Sequence, residues 1–119
     1  MMRRLVIMVG AAVLLFGSVG AGAHAFLDHA DPRVGSTTGT APREVTLWFT
    51  QDLEPAFSTV MVTDASGQRV DAGSPIIDGN VMRVSLRSIV PGQYKVTWHA
   101  LSVDTHTTQG TFTFGVGGR

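Results

Sequence analysis

The sequence predicts an all-β domain built from two antiparallel sheets. Apolar and polar residues alternate with a period of two in several short stretches, which is the pattern of half-buried strands. Turn residues separate these stretches at short intervals, and no stretch carries the period of an amphipathic helix. The chain that follows the amino-terminal segment is about 96 residues long, which is enough for one small domain.

The stretches with the strand pattern are, in chain order, "HAFLDH" (24–29), "EVTLWFT" (44–50), "STVMVTD" (58–64), "VMRVSL" (81–86), "GQYKVTWHAL" (92–101) and "GTFTFGV" (110–116). In the second of them, Val45, Leu47 and Phe49 share one face, and in the last Phe112 and Phe114 do so. This spacing predicts roughly seven short strands, and hence an immunoglobulin-like, seven-stranded Greek-key β-sandwich or barrel.

Turn signals flank these strands. Gly67 lies in "ASGQR" after the third strand, and "DGN" (78–80) precedes the fourth. Proline stands just outside the strands in "APR" and "VPGQY", where its missing N–H does no harm. The inward faces of the strands give the predicted core: Val45, Leu47, Phe49, Val60, Val62, Val84, Tyr94, Val96, Trp98, Phe112 and Phe114.

The amino-terminal segment has the order of a secretory signal peptide. Arg3 and Arg4 precede an apolar run of about 12 residues, "LVIMVGAAVLLF", and the small residues "GSVGAGA" follow it. A membrane span needs about 20 residues, so this run predicts a cleaved leader and export of the mature chain. Both Ala23 and Ala25 end a small-x-small pattern, so the signal alone permits cleavage after either.

Cleavage after Ala23 divides the chain into a leader, residues 1–23, and one domain, residues 24–119. The domain keeps seven basic and nine acidic residues, and it has neither a basic patch nor a second apolar run. We therefore expect a monomer with no nucleic-acid partner and no stable membrane insertion. The sequence contains no cysteine, which excludes a disulfide.

Chemistry is concentrated in "VDTHTTQG" (103–110), between the last two predicted strands. The sequence has no signature of a serine hydrolase, a phosphate-binding loop, a zinc protease or a dinucleotide-binding fold, and we predict no catalytic residue. Asp104 and His106 are two residues apart, and in extended backbone their side chains would point to the same side. The pair alone is compatible with a hydrogen-bonded loop or with a metal site.

A histidine at the mature amino terminus would extend this pair. After cleavage at Ala23, His24 offers its α-amino nitrogen and a ring nitrogen, and an α-amine with a pKa near 8 loses its proton to a metal at modest cost. With Asp104 and His106 this makes three nitrogen donors and one oxygen donor, a set that suits one Cu(II) ion per chain. Cleavage after Ala25 would remove His24 and leave a pair too poor to hold Cu(II) firmly.

The mature chain resembles the CopC family of periplasmic copper-binding proteins over essentially its whole length. The resemblance rests on "HAFLDHADPRVGST", on "PREVTLWFTQDLEPAFSTVMV" and, most specifically, on "GQYKVTWHALSVDTHTTQGTFTFGV". It implies a seven-stranded Greek-key β fold and a Cu(II) site formed by the amino-terminal histidine and the Asp-x-His loop. Those roles fall on His24, Asp104 and His106.

The sequence departs from the family pattern in two places. Some members carry a methionine-rich Cu(I) site in a central loop, but "TDASGQRVDAGSPIIDG" contains neither methionine nor histidine. Met61 and Met82 are expected in the core, so we predict a protein that binds Cu(II) only. Some members have an acidic residue where Gln51 stands, and the role of this position stays open; Asp52 and Glu54 are expected in a solvated loop.

The expected function is copper homeostasis or resistance by a carrier that sequesters Cu(II) and delivers it to a CopD-type inner-membrane importer. The alternative is a copper-dependent monooxygenase with a histidine brace. The short chain, the inward-facing aromatic residues and the Asp104 carboxylate, which favours Cu(II), argue against this enzyme. His29 is expected at the surface, and His99 on a polar face or beside the site.

Overall fold

The computed structural model describes residues 25–118, which form two four-stranded β-sheets. The predicted leader and His24 lie outside the described residues. Within residues 25–118, no helix has the length and apolar character needed to cross a membrane. The prediction of an all-β, immunoglobulin-like sandwich is confirmed.

The strands, in chain order, are β1 (Leu27–Asp31), β2 (Thr37–Thr38), β3 (Glu44–Phe49), β4 (Thr59–Asp64), β5 (Asp71–Asp78), β6 (Val81–Leu86), β7 (Gly92–Leu101) and β8 (Thr107–Val116). Sheet 1 has the order β1-β3-β6-β5, and sheet 2 has the order β2-β8-β7-β4. A 3-10 turn, Pro55–Phe57, connects the two sheets between β3 and β4. Neighbouring strands are antiparallel except β2, which runs parallel to β8.

The core lies between the two sheets, and every predicted core residue is buried in it. The rings of Trp98 and Phe49 pack edge to face with their centroids 5.1 Å apart, and the rings of Tyr94 and Phe114 stack with their centroids 5.5 Å apart. Met82 is fully buried as predicted. The prediction is wrong for Met61, which is only half-buried because its neighbours along β4 take the inward positions.

Two strands have no counterpart in the sequence prediction. Strand β5 pairs with β6 but carries a register shift between Ala72 and Ile76, and Gly73 within it has a φ of 79°. This bulge interrupts the period of two, which is the signal on which strand prediction depends. Strand β2 is two residues long and is fixed by its parallel pairing with Gly115 and Val116, so local periodicity does not indicate it.

Candidate metal site

The predicted ligands Asp104 and His106 lie in the connection between β7 and β8. The last residue pair of this hairpin is Leu101 with Thr107, and the Ser102 N–H closes the connection by donating to the His106 carbonyl at 3.0 Å. Thr105 has a φ of 73°, in the left-handed region. The extended backbone that we expected here is therefore wrong, because a segment that joins two antiparallel strands must reverse direction.

The turn nevertheless brings the two side chains together. The Asp104 Oδ1 and His106 Nδ1 atoms are 3.4 Å apart, and the side chains are 44% and 47% exposed. A donor pair that is open to solvent can be reached by a metal ion without any rearrangement of the core. The pair thus forms one wall of a candidate metal site at the surface.

A buried serine holds the carboxylate of this pair. Ser102 is completely buried, and its hydroxyl donates a hydrogen bond to Asp104 Oδ1. This hydrogen bond lowers the pKa of Asp104; partial desolvation opposes the effect, and His106 adds to it. Asp104 is therefore an ionised oxygen donor at neutral pH, with its orientation set from inside the sandwich.

The amino-terminal end of the described chain lies beside the same hairpin. Ala25 is completely buried, and its carbonyl accepts a hydrogen bond of 2.6 Å from the Thr108 hydroxyl, two residues after His106. Phe26 is tied to the end of β3, since its N–H donates to Thr50 Oγ1 and its carbonyl accepts from the Thr50 N–H, both at 2.9 Å. The residue that precedes Ala25 is His24, the third predicted ligand, which lies outside the described residues.

The loop after β3 completes this end of the sandwich. Leu53 is buried and pairs with Ser102, while the Val103 N–H donates to the Asp52 carbonyl at 3.1 Å. Gln51 stands in the same loop and brings no carboxylate. The loop therefore supports the 102–106 turn through its backbone.

Negative charge gathers at this end of the molecule. The loop contributes Asp52 and Glu54, the tip of the β5–β6 hairpin contributes Asp78, and the turn contributes Asp104. The hairpin tip belongs to this end because the Gly79 carbonyl accepts from the Leu53 N–H at 3.0 Å. The sequence has no lysine or arginine from residue 44 to 68 or from 96 to 118. The local field at the 102–106 turn thus favours a cation.

The two remaining histidines lie elsewhere on the surface. The ring of His29 stacks on Trp48 with centroids 4.3 Å apart, and its Nδ1 is 2.7 Å from the Asp28 carboxylate. His99 is exposed on the outer face of sheet 2, between Thr59 and Gln109 on the neighbouring strands. The surface position expected for His29 and the polar face considered for His99 are both observed.

The described residues supply only part of a metal site. Between residues 25 and 118, no group of three or more histidine, cysteine, aspartate or glutamate side chains could hold a metal ion. Asp104 and His106 are two donors, and Cu(II) sites of tetragonal geometry need more. His24, the third predicted ligand, lies outside these residues.

Comparison with known proteins finds a family model and several relatives that match most of the described residues. A family model described as the CopC domain matches residues 27–117. Protein YobA of Escherichia coli K12 is 36% identical over 98 residues, which are 79% of this chain and 79% of YobA. Copper resistance protein C of Escherichia coli is 31% identical over 104 residues, which cover 79% of this chain and 82% of that protein. The copper transport protein CutJ of Bacillus subtilis is 30% identical over 99 residues, which are 80% of this chain but 18% of CutJ.

Solved structures show the same likeness. CopC from Methylosinus trichosporium OB3b superposes with a TM-score of 0.76 at 26% identity, covering 81% of this chain and 96% of that one. PcoC, a methionine-rich copper resistance protein from Escherichia coli, superposes with a TM-score of 0.71 at 32% identity, covering 79% of this chain and 99% of that one. The likeness therefore extends over about four fifths of this chain and nearly the whole of each solved structure.

Proposed function

The chain belongs to the CopC family of copper-handling proteins, and on that premise we propose that it is a periplasmic carrier that binds one Cu(II) ion through His24, Asp104 and His106. The observation that carries the proposal is the exposed turn at which the Asp104 carboxylate and the His106 ring lie 3.4 Å apart. A carboxylate beside an imidazole supplies one oxygen and one nitrogen donor to a single point.

The position of Ala25 supports the assignment of the remaining donors. The Ala25 carbonyl is hydrogen-bonded to Thr108. His24 is the next residue toward the amino terminus, and consecutive Cα atoms are only about 3.8 Å apart. His106 stands two residues before Thr108 in the same hairpin. If cleavage leaves His24 first, its amine and ring nitrogens bring the set to three nitrogens and one oxygen, which suits Cu(II) in tetragonal geometry.

The chemistry of the available donors also favours Cu(II) over Cu(I). Cu(I) prefers thiolate and thioether ligands, but the sequence has no cysteine. Met82 is buried in the core, and Met61 pairs with Thr97 midway along the β4–β7 ladder at the edge of sheet 2, so neither belongs to the 102–106 turn. The ionised Asp104 carboxylate is a hard donor that stabilises the divalent ion.

Several observations support a carrier over an enzyme. The aromatic rings of Tyr94, Trp98, Phe112 and Phe114 are buried, so they offer no surface on which a sugar ring could stack. In CutJ, a segment similar to this chain occupies 18% of a copper transport protein. We propose that the present chain passes its copper to a CopD-type transporter in the inner membrane.

A titration of the exported protein with Cu(II), followed by electron paramagnetic resonance and by competition with a chelator, tests the proposal. His106→Ala is expected to weaken binding about a hundredfold because it removes a nitrogen donor. His29→Ala is the matched control, since it also removes an exposed histidine, and it is expected to leave the affinity unchanged. Equal effects of the two substitutions would contradict the site.

The enzyme alternative has its own test. The copper-loaded protein is expected to catalyse no oxidation of an added polysaccharide in the presence of ascorbate and peroxide. Rapid reduction of the copper followed by oxidation of the polysaccharide would instead favour a histidine-brace monooxygenase.

A further inference from the structure

We infer that Thr108 is a positioning residue for copper binding: its hydroxyl fixes the amino-terminal segment on strand β8, so that the first residue of the mature chain meets the Asp104–His106 turn. The inference rests on the proposed function and adds a residue that does not itself coordinate the metal. It concerns a contact between residues 83 positions apart, which only the folded chain brings together.

The contact joins two parts of the site that belong to different sheets. From Leu27 onward the amino-terminal strand pairs with β3, and Phe26 bonds to Thr50, so this segment is held by sheet 1. Asp104 and His106 belong to the β7–β8 hairpin of sheet 2. The hydrogen bond from Thr108 to Ala25 crosses between these parts next to both sets of ligands.

Burial makes the Thr108 hydroxyl hard to replace. Ala25 is completely buried and Thr108 is half-buried, so the Ala25 carbonyl has little contact with water that could replace the hydroxyl. A buried carbonyl without a donor is unfavourable, and the segment can relieve this by moving away from β8. Such a movement would shift residue 24 relative to Asp104 and His106, while the turn itself stays closed by Ser102.

The inference therefore predicts a loss of geometry without a loss of donors. All four proposed donor atoms remain in a Thr108→Val variant, which keeps the shape of the side chain but lacks the hydroxyl. Loss of one neutral hydrogen bond corresponds to about a threefold to tenfold weaker Cu(II) affinity. The electron paramagnetic resonance signal of Thr108→Val should also change, because the amine binds in a smaller fraction of the molecules.

Three variants of the exported protein test this, each with intact mass showing His24 as the first residue. Thr108→Val is compared with Thr108→Ser, which keeps the hydroxyl, and with Thr111→Val, which makes the same change at an exposed position of β8. Affinity is measured by chelator competition, and the copper spectrum is recorded for each variant. We expect weaker binding and an altered spectrum for Thr108→Val alone. If Thr108→Val does not fold by circular dichroism, Thr108→Ala takes its place with the same expectation.

The outcomes separate the inference from the proposed function. Wild-type affinity and spectrum in a folded Thr108→Val or Thr108→Ala variant would overturn the positioning role and leave the copper site intact. An equal loss in Thr108→Ser would also overturn it, since the hydroxyl is then irrelevant. Failure of the wild-type protein with His24 first to bind Cu(II) would overturn the proposed function and the inference with it.

Discussion

Extension of the mature amino terminus by one alanine before His24 is expected to weaken Cu(II) binding severely. The extension converts the α-amine of His24 into a peptide N–H and places the new amine about 3.8 Å further along the chain. Metal–nitrogen bond lengths are about 2 Å and vary by only about 0.2 Å, so the displaced amine cannot take the same coordination position. The rings of His24 and His106 and the carboxylate of Asp104 are unchanged by this extension.

The contacts of residues 25 and 26 prevent the amino-terminal segment from shifting along the chain direction to bring the new amine back to the metal. Ala25 is completely buried with its carbonyl on Thr108, and Phe26 is bonded to Thr50 in both directions. Structural Zn(II) held by four protein ligands gains about 10–16 kcal/mol, and on that scale one of four donors is worth about 2.5–4 kcal/mol. The extended protein should therefore bind Cu(II) about a hundredfold to a thousandfold more weakly.

Competition with a chelator of known affinity measures this directly on the two proteins, after mass spectrometry has established the first residue of each. Addition of one residue at the carboxyl terminus, after Arg119, is the control and should change nothing. An extended protein that binds Cu(II) within about threefold of the unextended one would refute amine coordination. Exported protein that begins at Phe26 would refute the assignment of His24 altogether.

Three further outcomes are expected. Cu(II) affinity should fall as the pH drops from about 8 to about 5, because protons compete with the metal first for the amine nitrogen and then for the imidazole nitrogens. The hydrogen bond from Ser102 lowers the pKa of Asp104, so its carboxylate is the least affected donor over this range. A flat pH profile in chelator competition would count against nitrogen ligation. Asp71→Ala should lower the free energy of unfolding in urea by about 1–3 kcal/mol, because the buried carboxylate accepts bonds from the Val62 N–H at 2.9 Å and from Arg69 at 2.7 Å. Burial raises the pKa of Asp71, but the bonds from Arg69 and Val62 lower it by more, so the pKa is lowered on balance. The stabilisation by this carboxylate is therefore present above about pH 4 and is lost as the pH falls through the folded-state pKa. A difference in unfolding free energy between variant and wild type that persists in acid would contradict this. Gly110→Ala should lower the free energy of unfolding by about 1–3 kcal/mol, because a Cβ there would lie 2.8 Å from Cζ2 of Trp98. Gly39→Ala is the control and should not lower it, because the space around Gly39 is open. Equal thermal unfolding of the two variants would show that Trp98 can move aside.

The periodic strands were the predictable part of the fold. Val45, Leu47 and Phe49 alternate with polar residues, and their burial follows from the geometry of a strand with one face toward a core. The same rule failed for β5, where the bulge beyond Ala72 breaks the alternation. It also failed for Met61, because an apolar residue between two inward-facing valines must point outward.

The candidate site was predictable as a set of residue types and only partly as a geometry. The spacing of Asp104 and His106 indicated that their side chains would meet, but the assumed extended backbone was wrong, and the left-handed φ of Thr105 belongs to a turn. Ser102 gave no signal of its own as the donor to Asp104. A serine two residues before an aspartate becomes informative only once its burial is known.

The sequence by itself determined the all-β class, the core residues, the leader pattern and the Asp-x-His pair, because each of these is a local property of residue order. The tertiary structure decided which distant residues meet. Ala25 reaches Thr108 only because sheet 1 carries the amino-terminal strand, sheet 2 carries the β7–β8 hairpin, and the core packs the two sheets together. No local period in the sequence predicts the contact between Ala25 and Thr108, because it forms only when both sheets pack around one core.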